Sequence, residues 1–265
     1  VRTVHDLYYA LKVGPYEHLQ AFRLSTFIRE QSAGVTITLG VVFLVLFYAG
    51  SLSVLVRRRT ALLNRALEDR KRIEAEAAAV RSIPIDASFE KAVAIIHRQV
   101  HEKGGKLVTS GMGKAGQIAH NIATTFSSTG TPAAYLHPSE AQHGDLGILQ
   151  KNDLLLLISN SGKTREIVEL TRLAHNLDPE LKFIVITGNP DSPLAHESDV
   201  CLSTGKPAEV CTLGMTPTTS TTAMTVIGDI LVVQTMKETG FTIAEYSKRH
   251  HGGYLGEKSR SLCEK

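Results

Sequence analysis

Residues 106–128, KLVTSGMGKAGQIAHNIATTFSS, contain the pattern that decides the fold. The apolar run at 106–111 predicts a buried strand, a glycine-rich turn follows it, and a helix is expected over about 114–128. The same order continues, with further strands predicted at 132–137, 153–159, 182–188 and 199–204, and further helices at about 88–102, 164–176 and 217–238. Apolar strands alternating with helices predict an α/β fold, in which helices cover both faces of a parallel sheet.

Composition excludes several classes of function. The chain has 265 residues and 43% apolar content, enough for a sizeable core. Its net charge of +3 comes from 29 basic and 26 acidic side chains, so no electrostatic footprint for nucleic acid is expected. The three cysteines have neither zinc-site spacing nor the even count of a disulfide framework, which favours a reducing compartment.

Residues 32–56, SAGVTITLGVVFLVLFYAGSLSVLV, carry no charge. This run exceeds the roughly 20 residues that a helix needs to cross a bilayer, so it predicts a transmembrane helix. The alternatives are a buried core helix and a cleaved signal peptide. Arg57, Arg58 and Arg59 follow at once, and the positive-inside tendency then predicts that the C-terminal side faces the cytoplasm.

The chain is therefore expected to have four parts: a short extracytoplasmic segment at 1–31, the span at 32–56, a juxtamembrane helical linker at 57–83, and a domain at 84–265. Pro84 marks the last boundary. The first 81 residues are similar to the membrane anchor and linker of a bacterial sensor histidine kinase. No kinase signature follows them, so the front end is interpreted as a remnant, a fusion or a segment joined by error.

The glycine-rich turn SGMGKAG, residues 110–116, has features of an anion-binding loop. Gly111 and Gly113 would let backbone amides approach an anion, Ser110 adds a hydroxyl, and Lys114 adds positive charge. A glycine turn of this kind also occurs in folds that bind no phosphate, so the motif alone leaves both readings open.

The second motif is SNSGKT, residues 159–164, again at a strand end. Ser159, Asn160, Ser161 and Thr164 predict a donor-rich cup for a phosphate monoester. The alternative is ordinary N-capping of the next helix by Ser161 or Thr164. Glu166, two residues on, either stabilises that helix or faces the ligand.

Three further segments carry ionisable or hydroxyl side chains. In LHPSEAQHGDLG, residues 136–147, His137 and His143 suit proton transfer or metal binding, or brace the loop. In AEVCTLGMTPTTSTTA, residues 208–223, Glu209 precedes a hydroxyl run whose Thr219 and Ser220 either cap the last long helix or bind phosphate. In SKRHHGGYLGEK, residues 247–258, His250 precedes Gly-Gly; taken alone, this segment is typical of a solvated tail.

Read in order, GMGKAG, STGTP, HPSEAQHGDLG, SNSGKT, TGNPDSPLA, EVCTLG, TPTTSTTA and HHGGYLG resemble the SIS domain of the arabinose 5-phosphate isomerase family. The resemblance implies a flavodoxin-like three-layer αβα fold with a five-stranded parallel sheet, in the short form without CBS domains or truncated. It assigns catalysis to Lys114, Glu166, Glu209 and His250. Substrate contacts carry over to Gly130, Thr131, His137 and His143, with His137 also a position for an inhibitory divalent metal.

The activity implied is the interconversion of ribulose 5-phosphate and arabinose 5-phosphate, which supplies Kdo and lipopolysaccharide or capsule synthesis. It requires no cofactor, and which Glu or His acts as the base stays open. The resemblance also implies a homotetramer in which His250 enters a neighbour's site. The domain is expected on the cytoplasmic side of the inner membrane, or in the cytoplasm if the front segment is foreign. The alternatives are a non-catalytic phosphosugar sensor and an isomerase of another sugar phosphate.

Overall fold

A computed structural model of the protein describes residues 17–264. The chain divides into two compact units at the junction of Asp69 and Arg70. Most of the predicted segment 1–31 lies outside the described residues, because its first sixteen are not among them. The predicted division into segments at 31, 56 and 83 therefore stays a prediction.

The predicted span and linker form one helix, α1, Glu17–Arg81. The helix ends three residues before Pro84. The reason is that a residue preceding proline is restricted to extended backbone, so the helix cannot continue up to Pro84. Apolar side chains between Val35 and Val56 are about half exposed or more, and Phe43 is 68% exposed. By length and composition, the part of α1 from Gln31 onwards is sufficient to cross a membrane, with a mean hydropathy of 2.4 in its most apolar window.

The second unit contains a five-stranded parallel sheet, which confirms the predicted fold class. The strands are β1 Leu107–Gly111, β2 Ala133–Tyr135, β3 Leu154–Ile158, β4 Lys182–Thr187 and β5 Val200–Ser203, in the spatial order β2-β1-β3-β4-β5. The helices are α2 Ala87–Ile96 with a wider helical segment His97–Glu102, α3 Gly113–Ser128, α4 Arg165–Leu177, α5 Pro193–Glu197, α6 Thr219–Glu238, α7 Ile243–Arg249 and α8 Gly253–Cys263. Two short 3-10 turns, Glu140–His143 and Asp145–Ile148, follow β2.

The sheet is buried on both faces, which explains why its strands are continuous apolar runs. In β3, Leu154 and Leu156 pack with the core on the α2, α3 and α6 side, whereas Leu155 and Leu157 pack with the core on the α4 side. All four leucines are fully buried. Because helices cover both sides, no alternation of polar and apolar residues is left in the strand.

The predicted elements differ from the structure mainly at their ends. Helix α6 begins at Thr219, so Pro217 precedes the helix instead of occupying its first turn. The segment around His250 is not a solvated tail, since it lies between helices α7 and α8. In the sheet, β2 lies on one side of β1, and β3 lies on the other side. The connections that follow β1 and β3 therefore run in opposite directions across the sheet. Such a switch point leaves a crevice at the carboxyl ends of these strands.

Candidate functional site

A cavity of about 510 Å³ lies at the carboxyl ends of the parallel strands. Its walls come from the loops that follow β1, β3, β4 and β5, together with the first turn of α6. This is the position at which open α/β sheets bind ligands, because loops from neighbouring strands converge there. The volume is within the range of small-molecule sites.

The first wall is the start of α3. Lys114 and Ala115 line the cavity, and Met112, the residue before the helix, provides no side-chain cap. The first amides of this 16-residue helix are therefore available to an anion. Glycine is required at Gly111, because a Cβ there would lie 2.7 Å from the backbone oxygen of Ala115.

The second wall is the SNSGKT loop after β3. The hydroxyls of Ser159 and Thr164 hydrogen bond to each other at 2.8 Å, and the Ser161 hydroxyl accepts from the backbone amide of Lys163. Neither Ser161 nor Thr164 caps α4 with its side chain. The capping alternative is therefore not what the structure contains, and both residues line the cavity instead.

Close packing with the loop after β4 fixes the second wall. Gly162 has φ +63°, and a Cβ there would lie 1.9 Å from the hydroxyl oxygen of Ser192. Asn189, two residues after β4, donates from its side-chain amide to the Ser161 carbonyl at 3.3 Å. The loop conformation is thus determined by contacts that are distant in sequence.

The third wall is the N-terminus of α6, where Ser220 and Thr221 line the cavity. Glu209 caps this helix from the preceding loop, accepting from the Thr218 amide at 2.7 Å and the Ser220 amide at 3.4 Å. Burial alone would raise the pKa of the Glu209 carboxyl, but hydrogen bonds from Ser220 and Thr218 outweigh it, so the pKa lies below its usual value. An ionised Glu209 suits a cap better than a proton donor at neutral pH.

Lysine side chains surround the cavity, and one of them was missed by the sequence analysis. Lys206, after β5, lines the cavity together with Lys114 and Lys163, and no Asp or Glu is among the described residues of the lining. Lys206 has φ +54°, an uncommon backbone conformation for a non-glycine residue. The only sequence signal was the Gly205-Lys206 pair at a strand end, because nothing in the sequence indicates which way a loop lysine points.

The predicted residues after β2 lie beside the first wall. The Tyr135 hydroxyl, in β2, donates to the Gly111 carbonyl at 3.1 Å, and the Ser139 hydroxyl approaches the Met112 sulfur at 4.0 Å. His137 Nδ1 accepts from the Ser139 amide at 3.3 Å, so in the neutral ring Nε2 carries the proton. His143 is exposed, and neither histidine is part of the lining.

Predicted residues Gly130 and Thr131 lie at the other end of the sheet, before β2 begins. Thr131 is 2% exposed, and its hydroxyl hydrogen bonds to His101 Nε2 at 3.0 Å. A Cβ on Gly130 would lie 2.7 Å from the Phe241 ring. The structure does not bring these two positions to the cavity.

His250 is also separate from the cavity of its own chain. The helix α6 is about 30 Å long, and it carries the chain from the cavity to Phe241, which lies beside Gly130. His250 follows α7 and stacks on Tyr246 with ring centroids 3.7 Å apart. Its Nδ1 bonds the Tyr246 carbonyl at 3.0 Å; because a carbonyl only accepts, Nδ1 carries a proton and Nε2 is the basic atom of the neutral ring.

Of the residues predicted for the site, the cavity lining includes six: Lys114, Ser159, Asn160, Ser161, Thr164 and Ser220. Glu166 is half-buried in the first turn of α4 but does not line the cavity. Ser110 is fully buried and donates to the Leu136 carbonyl, so its hydroxyl serves the sheet. Across residues 17–264, no three His, Cys, Asp or Glu side chains are grouped to hold a metal ion, and a metal at His137 stays a prediction.

Comparisons with known proteins give a family and several relatives. Residues 100–234 match the family model of the SIS domain. The arabinose 5-phosphate isomerase KdsD of Francisella tularensis is 43% identical over 199 residues, which make up 75% of this chain and 60% of that isomerase. The chain thus spans less than two thirds of the length of that curated relative.

Two solved structures each match 72% of this chain. A crystal structure of an inferred phosphosugar isomerase involved in capsule formation, from Bacteroides fragilis, is 78% identical with a TM-score of 0.71, over 72% of this chain and 99% of that one. The Escherichia coli CFT073 protein c3406, in complex with arabinose 5-phosphate, is 33% identical with a TM-score of 0.63, over 72% of this chain and 98% of that one. Because the family model matches more than half of its residues, the chain belongs to the SIS domain family, in which its curated relatives are arabinose 5-phosphate isomerases.

Proposed function

We propose that the protein is an aldose-ketose isomerase that interconverts ribulose 5-phosphate and arabinose 5-phosphate. The observation that carries the proposal is the cavity, where Lys114, Lys163 and Lys206 lie together with the Ser and Thr residues of the loop after β3 and the N-termini of α3 and α6. Ammonium groups, hydroxyls and helix N-termini all favour a phosphate dianion. The complex of the 33% identical relative with arabinose 5-phosphate supports a ligand of this class.

The reaction needs a base that removes the proton next to the carbonyl and an acid that protonates the carbonyl oxygen. Substrate and product are isomers, so no redox cofactor is required. His250 is suited to proton transfer, because its Nδ1 is held by the Tyr246 carbonyl and its Nε2 is left for the substrate. Lys114, beside the phosphate, would stabilise the negative charge of the enediolate.

The distance between His250 and the cavity of its own chain supports an oligomeric site. We propose a homotetramer in which His250 of one subunit enters the cavity of another. Glu166 and Glu209 lie near the cavity without lining it, so either would act after substrate binding or through neighbouring groups.

One observation favours a second function. The lining contains donors and cations but no carboxylate or imidazole among the described residues, which is what a non-catalytic phosphosugar sensor needs. Glu209, moreover, is engaged as a helix cap. A sensor and an isomerase therefore share this cavity and differ in whether His250 completes it.

The deciding experiment uses the full chain purified in detergent. Ribulose 5-phosphate is supplied, and the product is identified against a panel of pentose, hexulose and heptose phosphates. Formation of arabinose 5-phosphate supports the proposal, and turnover of only another sugar phosphate reassigns the substrate. Saturable binding of the sugar phosphates without turnover establishes the sensor instead.

We also propose that residues 32–56 anchor the protein in the inner membrane, with the isomerase domain in the cytoplasm. The exposed apolar side chains of α1 and Arg57–Arg59 support this orientation. A cytoplasmic isomerase would serve the lipopolysaccharide or capsule pathway. Carbonate-washed membranes should retain the full chain and release a variant that lacks residues 32–56; recovery of the full chain in the soluble fraction would contradict anchoring.

A further inference from the structure

The C-terminal turns of α1 contact the helix that forms the third wall of the cavity. Glu76 Oε1 accepts a hydrogen bond from the Thr219 hydroxyl, with 3.2 Å between the oxygens. Thr219 is only 1% exposed and immediately precedes Ser220, which lines the cavity. The two bonded residues are 143 positions apart in sequence, so this contact exists only in the folded domain.

The end of the same helix contacts a second wall. Gly205 has φ +74°, and a Cβ there would lie 2.9 Å from the carbonyl oxygen of Ser82, the residue after α1. Gly205 immediately precedes Lys206, whose side chain lines the cavity. Residues 76–82 therefore support both the loop of Lys206 and the N-terminus of α6 from behind.

The Glu76 carboxylate is hydrogen bonded at only one of its two oxygens. Its second oxygen, Oε2, is buried and has no hydrogen-bond partner among residues 17–264. A buried carboxylate oxygen without a partner is costly, and such groups in folded proteins call for an explanation. The N-terminus of α6 offsets part of this cost, since it favours negative charge. Ala79, 7% exposed, holds the same turn against the domain.

We infer that Glu76 is a positioning residue, which fixes Thr219 and hence the phosphate-binding end of α6. The turn 76–82 then sets the affinity of the cavity for a sugar phosphate, and displacement of this turn of α1 lowers that affinity. The identity of the ligand rests on the proposed function, whereas the positioning of α6 does not. Both parts can be tested in the full chain.

The test compares E76A, E76Q and the control E74A in the full chain in detergent. Glu74 lies on the same helix but is exposed and ion-paired with Arg70, so its loss leaves α6 untouched. The first readout is amide hydrogen exchange without ligand at 219–222, with the core strand 154–158 as internal reference. The second readout is the KM and kcat for ribulose 5-phosphate.

In E76A we expect exchange at 219–222 to become about 3- to 10-fold faster, with 154–158 unchanged. The KM should rise by a similar factor at constant kcat, as for a loss of uniform binding. E76Q keeps an acceptor for Thr219 and should stay close to the wild type. If exchange in E76A equals that in E74A, the inference is overturned, whether or not the protein turns over ribulose 5-phosphate. If the wild type shows no turnover, faster exchange in E76A still supports the positioning role, and only the proposed function fails.

Discussion

The cavity and the His250 region lie in different parts of the domain, and they differ in how close their residues are to the carboxyl ends of the strands. The cavity groups Lys114, Ser161 and Ser220 at the carboxyl ends of the strands, and each lies in its loop next to the strand or helix that orients it. His250 follows a short helix at the far end of α6, beside residues that precede β2. Residues that look equally functional in the sequence therefore lie in two places, and the first group lines a cavity within one chain.

The largest expected effect comes from His250. H250A should lower turnover about 10²- to 10⁴-fold, the usual contribution of a positioned acid or base. Binding of inorganic phosphate to the cavity should be unchanged, because His250 lies outside its lining. Steady-state kinetics and calorimetric phosphate titration measure the two quantities.

Mixed oligomers test the separation of the two regions directly. Co-expression of H250A with K114A should restore part of the activity if a subunit's His250 serves another's cavity, since some sites then contain both intact residues. An activity no greater than the summed activities of the two separate variants would contradict a site shared between subunits. His250 would then act only within its own chain.

The next largest effect concerns the scaffold of the cavity. G162A should destabilise the domain by about 2–5 kcal/mol, because a Cβ at positive φ also collides with Ser192. The control is G104A, which has φ +73° but open space around its Cβ, with an expected cost of about 1–2 kcal/mol. Chemical unfolding measures both; equal losses would mean that the contact with Ser192 does not fix the loop.

A smaller effect is expected for Lys114, which lines the cavity. K114A should raise the KM about 10- to 100-fold, the loss expected for charge-assisted hydrogen bonds to a phosphate. The matched control is K151A, because Lys151 is exposed before β3, at the other end of the sheet. A KM for K114A equal to that of K151A would mean that Lys114, in the first wall, does not contribute to substrate binding.

The smallest effect is the pH dependence from Glu209. Its pKa is lower in the folded protein than in the unfolded chain, so its stabilising contribution is full above the ordinary glutamate pKa of about 4.3. That contribution is lost as the pH falls from there through the folded-state pKa. The free energy of unfolding of the wild type should thus exceed that of E209Q at pH 7, and the difference should shrink below about pH 4.3.

The control for this titration is E257Q, on the exposed face of α8. The difference in free energy of unfolding between the wild type and E257Q should not change with pH in this range. A constant difference between the wild type and E209Q down to pH 3 would mean that Glu209 does not cap α6 in solution.

Sequence reasoning located the cavity loops well and the remaining positions poorly. The motifs SGMGKAG and SNSGKT identified two walls, because strand, glycine turn and helix start are adjacent in the chain. It gave no role to Lys206, which lines the cavity from a loop after the edge strand β5. It treated Glu209 as catalytic without foreseeing the cap on α6, which depends on how the chain closes between two residues nine positions apart.

The sequence by itself determined the parallel α/β sheet, the family and the apolar character of α1, because these depend on local patterns of hydrophobicity and on short ordered motifs. The tertiary structure alone decided which residues meet: Ser192 beneath Gly162, Glu76 on Thr219, and His250 away from the cavity. The physical reason is that contacts between distant segments depend on strand order and close packing, which no local pattern encodes.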